Sequence, residues 1–185
     1  MKYQLVALFD EESHNRIESI QKQVCRRYRL YKSNPSIYIP LSTMVNPNLE
    51  KLDMVVSKIL NPYKKFKVEI TNSIYVNNDH KQVGLIIDEK GYISRISRNI
   101  LEILLLHGFN LNSMPCENLS SSLKIPMANT NYNVKKASSQ SLLTVNKSLL
   151  PADYLSVAKI NRIELWKLNG NKKDCVIKSF PLKNF

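Results

Sequence analysis

Two short stretches of the chain repeat one pattern, and they decide the fold that we predict for it. The first is residues 36–42, SIYIPLS, and the second is residues 122–128, SLKIPMA. In both stretches the order is serine, an apolar residue, a polar residue, isoleucine, proline, an apolar residue and a small residue. The second stretch begins 86 residues after the first. This repeat predicts that one half of a domain resembles the other half. The two matching strands, near 36–43 and 122–128, are expected to meet across a pseudo-symmetric cleft.

The alternation of side chains along a strand predicts which residues of each repeat face that cleft. The residues expected on the shared face are Tyr38, Pro40 and Ser42 of the first strand and Lys124, Pro126 and Ala128 of the second. Proline cannot donate a hydrogen bond to a sheet ladder, so it is usually an edge or bulge residue. Its presence at matched positions predicts an unusual backbone in both strands or one unpaired side on each.

The length and composition predict one ordinary domain, residues 1–185. The chain has 185 residues, 43% of them hydrophobic, which is enough for a real core. Its apolar runs are too short for a membrane span. Residues 2–9 are followed at once by acidic residues and are expected to form a buried strand rather than a signal peptide. Cys25, Cys116 and Cys175 lack metal-ligand spacing, which predicts reduced thiols in a cytoplasmic protein.

The charge of the chain predicts a polyanionic partner. The formal net charge is +12, and the basic residues come in small groups rather than in one tail. Such an excess concentrates nucleic acid or nucleotide phosphate near the surface. The alternative is a generally basic solvated surface. The abundance of Asn, Ile, Lys and Tyr is also typical of an AT-rich genome, compatible with a bacterial source, and such a genome also raises the lysine content.

Hydrophobic periodicity and turn residues predict eleven elements. In chain order they are a strand at 2–9, a helix capped by Asp10, the first repeat strand, a helix between Asn48 and Asn61, strands at 65–76 and 82–88, a helix ending at Gly108, the second repeat strand, a helix at 134–150, and strands at 157–168 and 175–180. This order predicts an α+β fold of two pseudo-symmetric lobes. Each lobe is expected to be a small antiparallel sheet backed by helices, with a central cleft between them.

This order, with its paired strands, resembles the 2H phosphoesterase superfamily, also called the 2′-5′ RNA ligase-like or LigT-like family. The resemblance covers nearly the whole chain: residues 2–9 and the helix after them are similar to that family's first strand and helix, and residues 158–165 to its late strand. The resemblance implies two His-x-Thr/Ser motifs, one on each repeat strand. One histidine would act as general base and the other as general acid, with the hydroxyls binding the phosphate. It also implies 2′,3′-cyclic phosphates or 2′-5′ phosphodiesters as substrates, without a metal or other cofactor.

This chain departs from that pattern at the residues that carry the chemistry. Tyr38 and Pro40 stand at the first motif, and Lys124 and Pro126 stand at the second. The histidines of the chain, none of which has a hydroxyl residue two places later, are His14, His80 and His107. We therefore expect that the ordinary two-histidine mechanism is absent.

The remaining residues of the cleft predict a binding site for a phosphate. Lys124 would place a cation where a phosphate sits, and the Tyr38 ring could stack on a base. The other residues expected to line the opening are Ser42, Thr43, Asn129, Asn131 and Tyr132. The first hypothesis is a degenerate phosphoesterase-like protein that binds a nucleotide or RNA phosphate without turnover.

Two alternatives stay open at this point. In the first, the chain is an active phosphodiesterase, or an RNA ligase-like enzyme, with Tyr38 and Lys124 as acid and base. This requires that burial or a neighbouring charge moves their pKa values from near 10 toward neutrality. In the second, the old cleft is a scaffold for protein interaction. The sequence offers no glycine-rich phosphate loop, since it has four glycines in all. Trp166 is expected to be a core or sheet-surface residue.

Overall fold

The computed structural model describes residues 1–28, 36–77, 82–88, 91–111, 123–129, 143–144, 157–168 and 175–184. The elements are β1 Lys2–Phe9, α1 Glu11–Tyr28, β2 Ile39–Val45, α2 Leu49–Leu60, β3 Phe66–Asn77, β4 Gln82–Ile87, α3 Tyr92–Leu106, β5 Lys124–Asn129, β6 Leu143–Thr144, β7 Val157–Leu168 and β8 Cys175–Pro181.

The strands form one antiparallel sheet made of two lobes. Its order is β2-β1-β7-β3-β4-β5, with β8 also paired to β7 and β6 also paired to β3. One lobe contains β1, β2, β7 and β8, and the other contains β3 to β6. They join where residues 66–69 of β3 pair with residues 157–160 of β7. The predicted α+β architecture of two antiparallel lobes is confirmed.

The repeat seen in the sequence is a structural repeat. A strand-helix-strand unit occurs twice, as β1-α1-β2 and as β4-α3-β5, and in each unit the two strands pair directly and antiparallel. Helix α1 contacts β5 of the other unit, and α3 contacts β2. Each of these two helices therefore packs against the motif strand of the opposite half.

The main core lies between the three helices and one face of the sheet. Alternate residues of β1, namely Leu5, Ala7 and Phe9, turn toward the helices because strand side chains alternate. The predicted helix stripes pack on them, and the stripe residues with under 8% exposure are Ile17, Ile20 and Val24 of α1, Leu52, Val55, Val56, Ile59 and Leu60 of α2, and Ile93, Ile96, Ile100 and Leu104 of α3. A fully buried residue of this size stabilises the fold by about 1.5–3 kcal/mol.

Polar residues fix the helix ends where the sequence predicted them. The Asp10 carboxylate accepts a hydrogen bond from the Ser13 backbone N–H at 2.9 Å, and the Asn48 side chain accepts one from the Lys51 N–H at 3.0 Å. These are N-caps of α1 and α2, satisfying backbone donors that the helices leave unpaired. Gly108 has a φ of 75° just after α3, a conformation that favours glycine at a helix end.

The other face of the sheet, which we call the far face, points away from the three helices. Val6, Leu8 and Trp166 are buried there, with Tyr38 packed against them. The interior of a curled sheet of about eight strands has room for side chains or one small ligand but not for helices, so the helices lie outside the curl and the far face lines its inside. Strands β2 and β5, at the two ends of the sheet order, come together with Cα atoms within 8 Å. The two motif strands therefore meet at the mouth of this concave surface.

One predicted element is wrong. The helix expected at 134–150 is contradicted at Leu143–Thr144, which form β6 and pair with Ser73 and Ile74 of β3. The spacing of Leu142, Val145 and Leu149 favours a helix locally, but pairing with β3 decides the conformation at these two residues; the rest of this range lies outside the described residues. No helix in the described ranges is long and apolar enough to span a membrane.

Candidate functional site

A β-bulge interrupts β2 directly after its proline. Pro40 is the register partner of Val6, and Ser42 is the partner of Leu5, so Leu41 is an extra residue between them. The Leu41 side chain is 2% exposed and belongs to the main core. A bulge of this kind leaves one residue out of the ladder and bends the strand.

The same bulge occurs in β5. Pro126 is the partner of Gly84 and Ala128 is the partner of Val83, which leaves Met127 as the extra residue. Met127 is fully buried. Because proline lacks an N–H, it is tolerated at bulges and edges, and both motif strands lie at the ends of the sheet order. The prediction of an unusual backbone at both prolines is confirmed.

The bulge overturns one prediction about the cleft. Ser42 was expected on the same face as Tyr38 and Pro40, but it is the partner of Leu5, whose side chain lies in the main core. The extra residue Leu41 shifts the alternation by one position, so Ser42 turns away from the cleft and is 3% exposed. Its hydroxyl oxygen has no hydrogen-bond partner within the described part of the chain. Ser42 therefore does not line the opening.

The same shift places Thr43 on the far face. Thr43 is the register partner of Gln4, whose side-chain amide donates to the Thr43 hydroxyl at 3.4 Å. In the second lobe, Asn129 is the register partner of Gln82, so two candidate residues follow the bulges at equivalent positions. Asn131 and Tyr132, the other two candidates, lie outside the described residues.

Lys124 and Pro126 lie on the far face of β5. Between them Ile125 is fully buried in the main core, so its two neighbours point the other way. Both are half-buried. A Cβ atom on Gly84, the partner of Pro126, would lie 3.0 Å from the Ile125 carbonyl oxygen. The absence of a side chain at position 84 therefore lets β5 approach β4 closely where Lys124 is positioned.

A hydrogen-bonded network on the far face was not predicted from the sequence. The Glu164 side chain is 10% exposed and accepts hydrogen bonds on both oxygens, from Arg162 Nε at 2.8 Å and from Trp166 Nε1 at 2.7 Å. The Trp166 ring in turn contacts the Tyr38 ring, with centroids 4.9 Å apart and an interplanar angle of 62°. The network therefore connects Tyr38 of a motif strand to an arginine on β7.

The register explains why this network faces the cleft. Trp166 and Glu164 are partners of Gln4 and Val6 on β1, and Arg162 is the partner of Leu8. The signal in the sequence is Arg-x-Glu-x-Trp with a period of two inside an apolar strand, which marks one polar face of that strand. Only the neighbouring strands reveal that this polar face is concave.

Cations also lie on the part of the far face between the motif strands. Lys67 of β3 and Lys159 of β7 are direct register partners, and the residues on either side of Lys67 are in the main core. No ion pair within the described ranges involves either lysine. Like charges directly opposite each other destabilise a sheet. An anion bound above them would relieve this repulsion, although Glu69, also on this face, reduces part of the charge.

Neither of the two histidines that the structure describes is part of a motif strand. His14 is on α1 and His107 follows α3, while His80 lies outside the described residues. No group of three His, Cys, Asp or Glu side chains that could bind a metal ion occurs among the residues that the structure describes. What the far face does bring together is the aromatic ring of Tyr38, directly before β2, and cations on β5, β3 and β7. This arrangement can bind an anion that carries an aromatic group.

Solved structures share this fold over the full length of the chain. TT0787 of Thermus thermophilus is 11% identical with a TM-score of 0.63, covering 100% of this chain and 99% of that one. E. coli LigT complexed with 3′-AMP is 9% identical with a TM-score of 0.60, covering 98% and 97%. Usb1 of Kluyveromyces marxianus is 15% identical with a TM-score of 0.54, also covering 98% and 97%.

Further structures of E. coli LigT contain NADP+, phosphate and ATP. No protein-family model matches the chain, and no curated protein matches its sequence. The likeness is therefore one of fold, and it agrees with the fold that the repeat predicted.

Proposed function

We propose that this chain, which has the 2H phosphoesterase fold, binds a nucleotide or RNA phosphate on its far face without two-histidine phosphodiesterase chemistry. The observation that carries the proposal is the position of Tyr38 and Lys124. Each precedes the proline of a bulged motif strand by two residues, and both strands end the sheet order and come together. By the resemblance to the 2H phosphoesterase superfamily, these are the positions where its two motif histidines would stand.

The charge of the far face supports an anionic ligand. Lys124, Arg162 and the Lys67–Lys159 pair lie on this face, and the chain as a whole has a formal net charge of +12. Cations outnumber the carboxylates of Glu69 and Glu164 on this face, and a concave surface with an excess of one charge raises the local concentration of the opposite ion. E. coli LigT, with the same fold, has been solved with 3′-AMP, phosphate and ATP. We infer the same class of ligand for this chain.

The side chains on the motif strands support binding rather than turnover. An imidazole titrates near neutral pH and can both accept and donate a proton, as the two-histidine mechanism requires. Tyrosine and lysine side chains have ordinary pKa values near 10, so these residue types do not exchange protons at neutral pH as readily as an imidazole does. A lysine cation binds phosphate, and a phenol ring stacks on a base, without any proton transfer.

Equilibrium titration with 3′-AMP and with inorganic phosphate tests the proposal. A charge-assisted hydrogen bond contributes about 1.5–3 kcal/mol, so Lys124→Ala is expected to weaken both ligands by about 10- to 100-fold. Tyr38→Ala is expected to weaken 3′-AMP but to leave phosphate nearly unchanged, since only 3′-AMP carries a base. The matched control is Lys58→Ala, which removes an exposed lysine of α2 on the outer side of the fold.

Unchanged affinity in Lys124→Ala would overturn the proposal. An equal loss in Lys58→Ala would do the same, because it would assign binding to net charge rather than to the far face. If the wild-type protein bound neither probe, an interaction scaffold would become the better account.

A further inference from the structure

We infer that Arg162 is a second phosphate-binding cation of the far face, positioned by Glu164, in a site for a nucleoside monophosphate whose base contacts Tyr38. The inference rests on the proposed function for its class of ligand. It adds a binding group on β7, away from both motif strands, and a positioning residue beneath it.

Glu164 is buried and fully engaged. Its side chain is 10% exposed, and its two oxygens accept from Arg162 and from Trp166. A buried carboxylate destabilises the fold unless it is paired and hydrogen-bonded. The fold therefore depends on both Arg162 and Trp166 as partners of Glu164. Glu164 thereby fixes a cation on one side of itself along β7 and an aromatic ring on the other.

Arg162 keeps hydrogen-bonding capacity toward the cleft. Its Nε donates to Glu164, and one terminal nitrogen donates to the Asn161 side chain at 3.3 Å. The remaining N–H groups of the guanidinium have no partner within the described residues, and the side chain is 41% exposed. A guanidinium presents a planar fork of donors that matches phosphate oxygens. Because Nε is bound to Glu164, the terminal nitrogens are the ones that can meet a ligand.

Trp166 supports the ring that a base would contact. It is 7% exposed, and its ring packs edge-on against the half-buried Tyr38. An edge-to-face aromatic pair is stabilised by the quadrupoles of the two rings in addition to the area it buries. Its indole N–H is bound to Glu164, which restricts rotation of the ring. Tyr38 is therefore the more exposed ring of the pair, and Trp166 holds it in place.

The spacing of these groups fits a nucleoside monophosphate. Arg162 is the partner of Leu8, and Tyr38 precedes Ile39, the partner of Ala7, so Tyr38 and Arg162 lie on either side of Leu8. Two strand spacings separate their backbones by about 10 Å. Arg162 extends to Glu164 and Tyr38 extends to Trp166, so a base on the Tyr38 ring and a phosphate at the terminal nitrogens of Arg162 would lie on the same face of the sheet.

The fluorescence of Trp166 gives a direct readout, since it is the single tryptophan of the chain. Wild-type protein is titrated with 3′-AMP and with inorganic phosphate while its emission is followed. The test variant is Arg162→Gln/Glu164→Gln, because the single Arg162→Gln change would leave a buried carboxylate without its cation. The double variant keeps neutral hydrogen-bonding groups at both positions. Circular dichroism is the check that the double variant folds.

The double variant is expected to bind both probes about tenfold or more weakly, the loss of roughly one charge-assisted hydrogen bond. Arg16→Gln, which removes an exposed arginine on α1, is the control and is expected to bind as the wild type does. Glu164→Ala is expected to weaken binding more than Glu164→Gln, since glutamine retains an acceptor for the guanidinium or the indole.

The outcomes separate this inference from the proposed function. If Lys124→Ala weakens binding while the folded double variant binds normally, Glu164 is only structural, and the inference is overturned while the proposed function stands. If the double variant weakens binding and Lys124→Ala does not, the role of Arg162 stands and the proposed role of Lys124 falls. A wild-type protein whose affinity is undetectable for both probes overturns both.

Discussion

Pro40 and Pro126 occupy the same position in two equivalent bulges. Each is paired to a residue of the preceding strand of its unit, Val6 or Gly84, and each is followed by an extra residue whose side chain enters the core. The residue two places earlier, Tyr38 or Lys124, is thereby set on the concave side. The two bulges therefore give the repeated sequence the same backbone irregularity at both ends of the sheet order.

The carbonyl of the β5 bulge is fixed by α1. Gln21 is 2% exposed, and its side-chain amide donates to the Met127 carbonyl oxygen at 2.9 Å. Gln21→Met keeps the side-chain volume and removes the amide donor. The buried Met127 carbonyl oxygen then loses this hydrogen bond. We expect a loss of about 1–3 kcal/mol in the free energy of unfolding, measured by urea denaturation. Gln23→Ala, on a partly exposed position of the same helix, is expected to cost less than about 0.5 kcal/mol. Equal losses in both variants would contradict this role of Gln21.

The close approach of β4 to β5 favours glycine at position 84. In Gly84→Ala the new Cβ meets the Ile125 carbonyl oxygen, so β5 has to shift, and we expect a loss of about 1–3 kcal/mol in stability. Because Lys124 is next to Ile125, phosphate affinity is expected to fall as well. Gly108→Ala is the control: it is strained by its φ of 75° but meets no atom within 4 Å, so it should lower stability and leave affinity unchanged. Wild-type affinity in folded Gly84→Ala would show that this approach does not position Lys124.

Burial raises the pKa of the Cys25 thiol. Part of the folding stability is therefore lost at alkaline pH. The unfolded chain has the lower thiol pKa, so it loses this proton first as the pH rises. Stability from Cys25 is thus complete below the unfolded-state pKa and declines as the pH climbs toward the folded-state pKa. We expect the difference in unfolding free energy between the wild type and Cys25→Ala to narrow from neutral pH to about pH 10, measured by urea denaturation. A constant difference would contradict this expectation.

Much of the fold could be predicted because local signals and tertiary pairing agree. The strand at Val157–Leu168 and the caps at Asp10 and Asn48 follow from alternation and from side chains that satisfy backbone donors. The repeat also located both motif strands. At Leu143–Thr144 the local helical spacing and the tertiary pairing disagree, and the pairing with β3 prevails.

The site was only partly predictable, for two physical reasons. A bulge changes which face a residue occupies, and the alternation of β2 alone gives no sign that Leu41 is an extra residue and that Ser42 turns inward. The second reason is that the curvature of the sheet cannot be predicted from the sequence of a single strand. Arg162, Glu164 and Trp166 look like the solvated side of β7 until β1 and β2 are placed beside it.

The central claim is that the far face binds a phosphate without the ordinary two-histidine chemistry. The most direct measurement is to incubate the protein with a short RNA ending in a 2′,3′-cyclic phosphate, with Lys124→Ala beside it, and to measure both bound RNA and opened ring. The account predicts that the wild type binds the RNA, that Lys124→Ala binds it about tenfold or more weakly, and that the ring stays closed over long incubation. Ring opening by the wild type that Lys124→Ala abolishes would contradict the account and show that the cleft has replaced its catalytic groups rather than lost them.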